Sequence, residues 1–189
     1  MENAMSKRIG RQTPTTSVSI PYVKTFGHDV IKLYEQSKRK AMDWRKMLVY
    51  DILAMDDRGW VHSRYGYEIP RQNGKGEILV IVEAWKLTQG EKIMHTAHRV
   101  NTSHTAWERL CTVLDEAKIE YKSIKQKGAE EIRLEDIGGY IAFRTRSNTG
   151  GLGESFDTLV IDEAQEYTTD QSSALRYTIF ASENPQTIL

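Results

Sequence analysis

The chain of 189 residues contains a single cysteine, Cys111, and no long hydrophobic run. One cysteine excludes a disulfide framework within the chain and a zinc site made of cysteines alone. No apolar stretch approaches the roughly 18–20 residues that a membrane-spanning helix needs, so we expect no membrane interaction. The N-terminal residues lack the apolar segment of a secretory signal. Together these absences favour a reduced, cytoplasmic setting.

Net charge is absent as well, because 26 basic residues balance 26 acidic residues. The two signs are nevertheless unevenly distributed. Residues 1–75 carry 14 lysines and arginines against 8 acids, whereas residues 76–189 carry 12 against 18. A basic first part is typical of proteins that contact nucleic acid. Solvated helix faces explain the same excess equally well, so composition alone leaves both interpretations open.

The spacing of hydrophobic residues predicts helices that alternate with strands. Residues 1–26 have no period and are predicted to form an extended arm, followed by one domain over residues 27–189. Predicted helices cover residues 28–55, with a break near 37–40, and 78–89, 102–118 and 169–182. Predicted strands cover residues 60–69, 92–97, 121–125, 131–135, 140–146, 156–161 and 186–189. This alternation indicates an α/β fold with a mainly parallel sheet flanked by helices.

A candidate phosphate-binding loop lies between the predicted strand 60–69 and the predicted helix 78–89. Its residues are Arg71, Gln72, Asn73, Gly74, Lys75, Gly76 and Glu77. In such loops, small residues let backbone N–H groups face the phosphates, and the next helix directs its positive end at them. A lysine then neutralises the β- and γ-phosphate oxygens, which is the role that Lys75 fits.

The loop matches the usual phosphate-binding pattern incompletely. Ile69 stands five positions before Gly74, where the pattern has glycine, and Gly76 stands where the pattern has serine or threonine. The hydroxyl group that normally holds Mg²⁺ is therefore missing. An ordinary strand-to-helix turn explains the loop equally well when the loop is considered alone.

An acidic pair at the end of the predicted strand 156–161 supplies the second half of a nucleotide site. The strand delivers Asp162 to the carboxyl edge of the sheet, where ligands bind in open α/β folds. There Asp162 can hold Mg²⁺ directly or through water, and Glu163 can deprotonate an attacking water. Two solvated acids at a strand end are the alternative. The loop and the acidic pair together favour a nucleotide hydrolase of the P-loop class.

Three stretches of the chain, residues 48–77, 95–110 and 155–166, resemble the ATPase domain of the large terminase subunit of tailed bacteriophages. Terminases of this type tolerate the missing first glycine and carry the Arg-x-x-Gly-Lys form that runs here from Arg71 to Lys75. The resemblance implies a P-loop NTPase fold of the RecA-like kind. It also implies hydrolysis of ATP with Mg²⁺ to drive the packaging of double-stranded DNA into the procapsid.

The resemblance assigns a role to each matching site residue. Lys75 binds phosphate, and Arg71 senses or stabilises the γ-phosphate. Asp162 holds the metal ion, and Glu163 is the catalytic base. Trp44 stands near the motif that contacts adenine in the family, although arginine replaces the glutamine of that motif.

The resemblance also implies partners and missing parts. The partners are the portal protein, the small terminase subunit, further copies of the chain in a ring, and the backbone of double-stranded DNA without sequence preference. The coupling motif of the family is expected beyond Leu189, and we expect the nuclease domain of the family to be absent. We therefore expect a fragment that lacks nuclease activity and works in the host cytoplasm.

Two arginines, Arg144 and Arg146, precede the glycine-rich stretch 147–155. Either is a candidate for the arginine that a neighbouring subunit offers to the transition state in a ring ATPase, and Arg146 is nearer to the stretch. An exposed strand edge is the alternative. Two other functions also stay open: a helicase-like DNA-dependent ATPase, and a non-hydrolysing module that binds nucleotide or a protein partner.

Overall fold

The computed structural model describes residues 10–70, 72–146 and 153–189, with the side chain of Asp170 left out. The α-helices described there are α1 (Gly27–Gln36), α2 (Asp43–Ile52), α3 (Lys75–Thr88), α4 (Val100–Glu116) and α5 (Thr169–Arg176). The strands are β1 (Lys24–Thr25), β2 (Ala54–Asp56), β3 (Gly59–Trp60), β4 (Arg64–Tyr65), β5 (Lys92–Ala97), β6 (Lys122–Ile124), β7 (Glu131–Leu134), β8 (Gly139–Thr145), β9 (Thr158–Ile161) and β10 (Gln186–Ile188). Within these ranges, no helix has both the length and the apolar character to cross a bilayer.

The main sheet has seven strands in the order β4-β10-β9-β5-β8-β7-β6. Its first five strands run parallel, while β7 and β6 pair antiparallel at one edge. The predicted α/β fold with a mainly parallel sheet is therefore confirmed. A separate small antiparallel sheet, in the order β1-β2-β3, contains the strand that follows residues 10–23.

Helix α3 lies at the centre of the molecule. All ten residues from Ile78 to Leu87 are buried, and the helix packs against α1, α2, α4 and the strands β5 and β8. A helix that is apolar nearly all round must be covered on every side, so the prediction of a buried helix at 78–89 is confirmed. This burial fixes the position of the start of α3 relative to the sheet, because a shift of the helix would expose apolar side chains.

The prediction of one strand over residues 60–69 is wrong. The segment forms two short strands in different sheets, since β3 pairs with β2 in the small sheet and β4 pairs with β10 in the main sheet. Alternation of apolar and polar residues fits both pairings, so the pattern could not reveal the crossing between them. The buried Gln186 side chain stabilises the crossing by donating to the carbonyls of Ile52 and His62, at 2.7 and 3.0 Å.

A buried ion pair lies at the C-terminal end of α3. The side chain of Lys86 is fully buried, and its Nζ lies 2.8 and 3.0 Å from the two carboxylate oxygens of Glu91 and 4.0 Å from the centre of the Trp60 ring. Glu91 also accepts a hydrogen bond from Thr158 at 2.8 Å, which ties the end of α3 to β9. Burial lowers the pKa of Lys86, and the Glu91 carboxylate opposes that shift.

We expect Lys86→Ala to lower the free energy of unfolding by about 3–5 kcal/mol, because it leaves the partly buried Glu91 without its counter-charge. Chemical denaturation measures this change. Lys46→Ala is the matched control, since Lys46 pairs with Glu35 at the surface at 3.8 Å, and such pairs contribute roughly 0–1 kcal/mol. Equal losses in the two variants would contradict the structural role of the buried pair.

Candidate active site

A cleft of about 1230 Å³ opens where α3 begins and where the strands β5 and β9 end. Parallel strands present their carboxyl ends at one edge of the sheet, and this edge is where open α/β folds bind ligands. Charged and polar side chains form much of its wall. They include Gln72, Lys75, His95, Arg109, Asp162 and Glu163.

Lys75 and Asp162 meet inside this cleft. The Lys75 Nζ lies 2.8 Å from the Asp162 Oδ1, although one residue starts α3 and the other follows β9. Burial raises the pKa of the Asp162 carboxyl, but the hydrogen bond from Lys75 and the charge of His95 outweigh burial and hold the pKa below its ordinary value. The structure thus brings together the lysine and the first acid of the two predicted motifs.

The start of α3 has the backbone form of an anion-binding turn. Gly74 is the N-cap of the helix and has a φ of 74°, in the left-handed region that favours glycine. The lysine comes directly after it, at the first position of the helix. The first N–H groups of a helix lack partners within the helix, and its positive dipole end favours a negative ligand. The geometry therefore suits a phosphate group beside Lys75.

Glu163 follows Asp162 in a strained backbone conformation. Its φ of 58° and ψ of 51° lie in the left-handed region, which costs a residue with a side chain of order 1–3 kcal/mol. The N–H of Glu163 donates to the Asp162 Oδ1 at 2.8 Å and so helps to orient that carboxylate. Backbone strain of this kind occurs preferentially at functional sites.

Arg146 points inward, towards the acidic pair of its own chain. Only 8% of the residue is exposed, and its Nη2 donates to the Glu163 carbonyl at 3.0 Å. Its Nε and Nη1 are buried without a hydrogen-bond partner among the described residues. This position suits a group that acts within the subunit and differs from the predicted arginine offered to a neighbour. Arg144 instead pairs with Glu131 at 2.7 Å.

The other residues predicted to lie near the ligand differ in where the structure places them. Arg71 and the stretch 147–152 lie outside the described residues. Gln72 and Gly76 line the cleft, but Asn73 does not, and its amide donates to the Pro70 carbonyl at 3.1 Å.

Two residues predicted to contact the ligand have side chains directed elsewhere. The Glu77 carboxylate pairs with Arg39 at 3.1 Å and accepts a hydrogen bond from the Tyr34 hydroxyl, so its side chain is engaged outside the cleft, and its contact with a ligand stays a prediction. Trp44 packs against the hydrophobic core and lies outside the lining of the cleft, so its predicted adenine contact has no support in this position. The neighbouring residue Arg45 reaches the loop instead, with Nη2 close to Gly74.

Sequence reasoning missed a buried polar pair beneath the loop. Glu83 of α3 and His95 of β5 are both about 1% exposed, and the Glu83 Oε1 lies 2.5 Å from the His95 Nδ1. Burial lowers the pKa of His95, but the Glu83 carboxylate more than offsets this and raises the pKa above its ordinary value. Glu83 is one of two charged residues, with Lys86, in the otherwise apolar segment 78–87, and that was the available signal.

The histidines do not converge on a metal. Across the described part of the chain, no group of three or more His, Cys, Asp and Glu side chains is arranged to hold a metal ion. His104 instead lies 2.7 Å from Glu130 and 3.3 Å from Glu108. In the described part of the cleft, Asp162 and Glu163 are not joined by a third such side chain in an arrangement that could hold a metal ion.

Comparison with solved structures shows which proteins have a similar fold. The large terminase of bacteriophage HK97 superposes with a TM-score of 0.73 at 15% identity, over 87% of this chain and 37% of that protein. The ATPase domain of the large terminase of Thermus phage P74-26 superposes with a TM-score of 0.60 at 16% identity, over 83% of this chain and 67% of that domain. The fold is that of phage large-terminase ATPase domains. The predicted P-loop NTPase fold is thereby confirmed.

A third similar structure is the large terminase of a thermophilic bacteriophage in complex with ADP, with a TM-score of 0.51 at 10% identity. The match covers 89% of this chain and 38% of that protein. The chain therefore spans well under half of the length of this ADP-bound terminase and of the HK97 terminase. No family model and no curated protein matches the sequence.

The strain at Glu163 gives a prediction about stability in this terminase fold. Glycine relieves a left-handed backbone and alanine does not, so we expect Glu163→Gly to be more stable than Glu163→Ala by about 1 kcal/mol. Denaturant unfolding of both variants measures the difference.

The matched control is the same pair of substitutions at Glu166, which lies in a 3₁₀ turn without a positive φ. There the alanine variant should be at least as stable as the glycine variant, because glycine loses more backbone entropy on folding. The same order of stability at both positions would show that Glu163 carries no special strain.

Proposed function

We propose that this chain is the ATPase motor of a phage large terminase, which hydrolyses ATP to drive double-stranded DNA into the procapsid. The observation that carries the proposal is the ion pair between Lys75 and Asp162 at the start of α3, in a cleft large enough for a nucleotide. The terminase fold supports the same conclusion, and so does the similar terminase that was solved in complex with ADP.

The phosphates would lie at the start of α3. Lys75 is 41% exposed in its ion pair, so its ammonium group can turn from Asp162 to a phosphate without crossing the core. The left-handed turn at Gly74 presents the first N–H groups of the helix to the same anion. Arg71 is proposed to stabilise the γ-phosphate from within the same loop.

Asp162 fits a magnesium site. Its side chain is 11% exposed and its lowered pKa keeps it ionised, which are properties of a hard oxygen ligand. Gly76 offers no hydroxyl, so Asp162 would share the ion with water and phosphate oxygens. When bound, Mg²⁺ neutralises charge on the phosphate oxygens.

Glu163 is proposed as the general base that takes a proton from the attacking water. It lines the cleft beside Asp162, and the inward-facing Arg146 lies against its carbonyl. Glu163 thus faces the cleft, and the cation of Arg146 lies buried behind it without lining the cleft. Arg146 would then stabilise transition-state charge from within the subunit.

We propose that the protein works in the host cytoplasm, in a ring of copies that docks on the portal protein and cooperates with the small terminase subunit. DNA contact is proposed to be to the phosphate backbone, since a packaging motor must be indifferent to sequence.

Calorimetric titration with Mg²⁺-ATP tests the nucleotide site. We expect binding by the unchanged protein, loss of at least about tenfold in affinity for Lys75→Ala, and no change for Lys46→Ala, because a lost charged hydrogen bond costs roughly 1.5–3 kcal/mol. Equal affinity of the Lys75→Ala variant and the unchanged protein would overturn the proposal.

Turnover in the same samples separates a motor from a binding module. We expect phosphate release by the unchanged protein and at least a roughly hundredfold slower release by Glu163→Gln with nucleotide affinity retained, because the loss of a general base acts on the chemical step. The missing hydroxyl at Gly76 favours the second candidate, a module that binds nucleotide without hydrolysis. Binding without phosphate release by the unchanged protein, with DNA present, would support that candidate.

DNA binding should fall steeply with salt and change little between sequences. Each neutralised phosphate adds about −0.9 to the slope of log affinity against log salt for duplex DNA. Fluorescence anisotropy with two unrelated duplexes of equal length, titrated over a range of salt concentrations, measures both properties. A complex that is insensitive to salt and selective for one duplex would count against the packaging function.

A further inference from the structure

The missing side chain at Gly76 leaves a space that is occupied by an arginine. A β-carbon built on Gly76 would lie 2.8 Å from the Nη1 of Arg109, which extends from α4. Among the described residues, no other atom lies within 4 Å of that position, apart from the chain neighbours and the backbone of the helix itself. The guanidinium group of Arg109 therefore takes the place where phosphate-binding loops of the usual pattern carry a serine or threonine side chain.

Arg109 is free to bind an anion. It lines the cleft and makes no hydrogen bond or ion pair with any residue in the ranges 10–70, 72–146 and 153–189. Three acids in its neighbourhood along α4 and α3 already have partners: Glu108 pairs with His104, while Glu77 and Glu116 both pair with Arg39. The positive charge of Arg109 is thus not neutralised by Glu108 or Glu116 of its own helix, nor by Glu77 in the first turn of α3.

The position of the guanidinium group matches a phosphate ligand. It faces the first turn of α3, where the helix dipole and Lys75 already favour negative charge. Helix α4 packs directly on α3, so the core sets the distance of the Arg109 backbone from the loop, within reach of its side chain. Arginine binds phosphate through two parallel N–H groups, and such charge-assisted bonds are among the strong ones.

We propose that Arg109 is a phosphate-binding residue of the nucleotide site, and that Gly76 is required because any side chain there would displace it. The proposal rests on the proposed function, because it names a further contact in the same site. In this arrangement an exposed cation from α4, unpaired among the described residues, stands where the usual hydroxyl would hold the metal ion. Nucleotide affinity should then depend less on Mg²⁺ than it would with an uncharged residue at position 109.

The test is calorimetric titration with ADP, with Mg²⁺ and again with EDTA. We expect Arg109→Gln to weaken ADP binding roughly 10-fold or more, and to weaken it further in EDTA than in Mg²⁺. Arg109→Lys should recover part of the affinity, because it restores the charge without the paired geometry. Arg58→Gln, on the exposed turn between β2 and β3, is the matched control and should bind as the unchanged protein does.

Substitution of the glycine tests the shared space. Gly76→Ala should weaken ADP binding, as Arg109→Gln does. The added β-carbon meets only the end of the Arg109 side chain, so it would displace the guanidinium group and leave the rest of the loop in place. The double variant Gly76→Ala, Arg109→Gln should bind about as weakly as Arg109→Gln alone, because the two changes remove one contact. Circular dichroism and denaturant midpoints of each variant confirm that α3 and α4 are still folded.

The outcomes separate this proposal from the proposed function. If Arg109→Gln binds ADP as tightly as the unchanged protein while Lys75→Ala loses binding, Arg109 is not a phosphate ligand and the nucleotide site stands. If the unchanged protein and Lys75→Ala bind equally, or if neither binds, both proposals fall. If the effects of Gly76→Ala and Arg109→Gln on the free energy of ADP binding add fully in the double variant, the two residues do not share one space and the requirement for Gly76 is overturned.

Discussion

The parallel pairing of β9 with β5 determines where the acidic pair Asp162 and Glu163 enters the cleft. Thr96 pairs with Ile161, and the N–H of Asp162 donates to the Thr96 carbonyl at 2.9 Å, so the acidic pair emerges where β5 also ends. Helix α3 packs across β5 and β8 with its first turn at that edge. Shifting the register by one residue would turn Asp162 to the other face of the sheet and separate it from Lys75.

The burial of α3 holds this arrangement in place. A helix covered on all sides cannot rotate without exposing apolar surface, and the two charged residues buried within it have fixed partners. Glu83 is bound to His95 beneath the loop, and Lys86 is bound to Glu91 at the far end. Buried polar groups are costly unless they are paired, so these contacts also select one rotation and one depth for the helix. The start of α3 is thereby presented to the cleft as a rigid element.

Much of this fold could be predicted from the sequence, because its long elements have clear periods. The helix at 78–89, the strand at 92–97 and the acidic pair after 156–161 are local patterns, and the structure places them as predicted. The prediction for residues 60–69 failed because the alternation of apolar and polar residues does not indicate which sheet each half of the segment joins. Pairing depends on distant residues, here the buried Gln186, which no local pattern reveals.

The sequence predicted which residues belong to the candidate site better than it predicted where their side chains point. Lys75 and Asp162 meet as their motifs require. Glu77 turns to α1 and Arg146 turns inward, because each finds a partner far away in sequence. Arg109 had no motif to mark it, since its role follows from the empty space at Gly76 and the packing of α4 on α3.

The central claim is that the Lys75–Asp162 ion pair marks the place where a nucleotide and its metal ion bind. A crystal structure of the protein with ADP, Mg²⁺ and a γ-phosphate mimic tests this claim directly. The account predicts phosphate density at the start of α3, the Lys75 ammonium group turned from Asp162 to that density, and a metal ion beside Asp162. Nucleotide bound elsewhere, or bound in the cleft while the 2.8 Å ion pair stays intact, would contradict it.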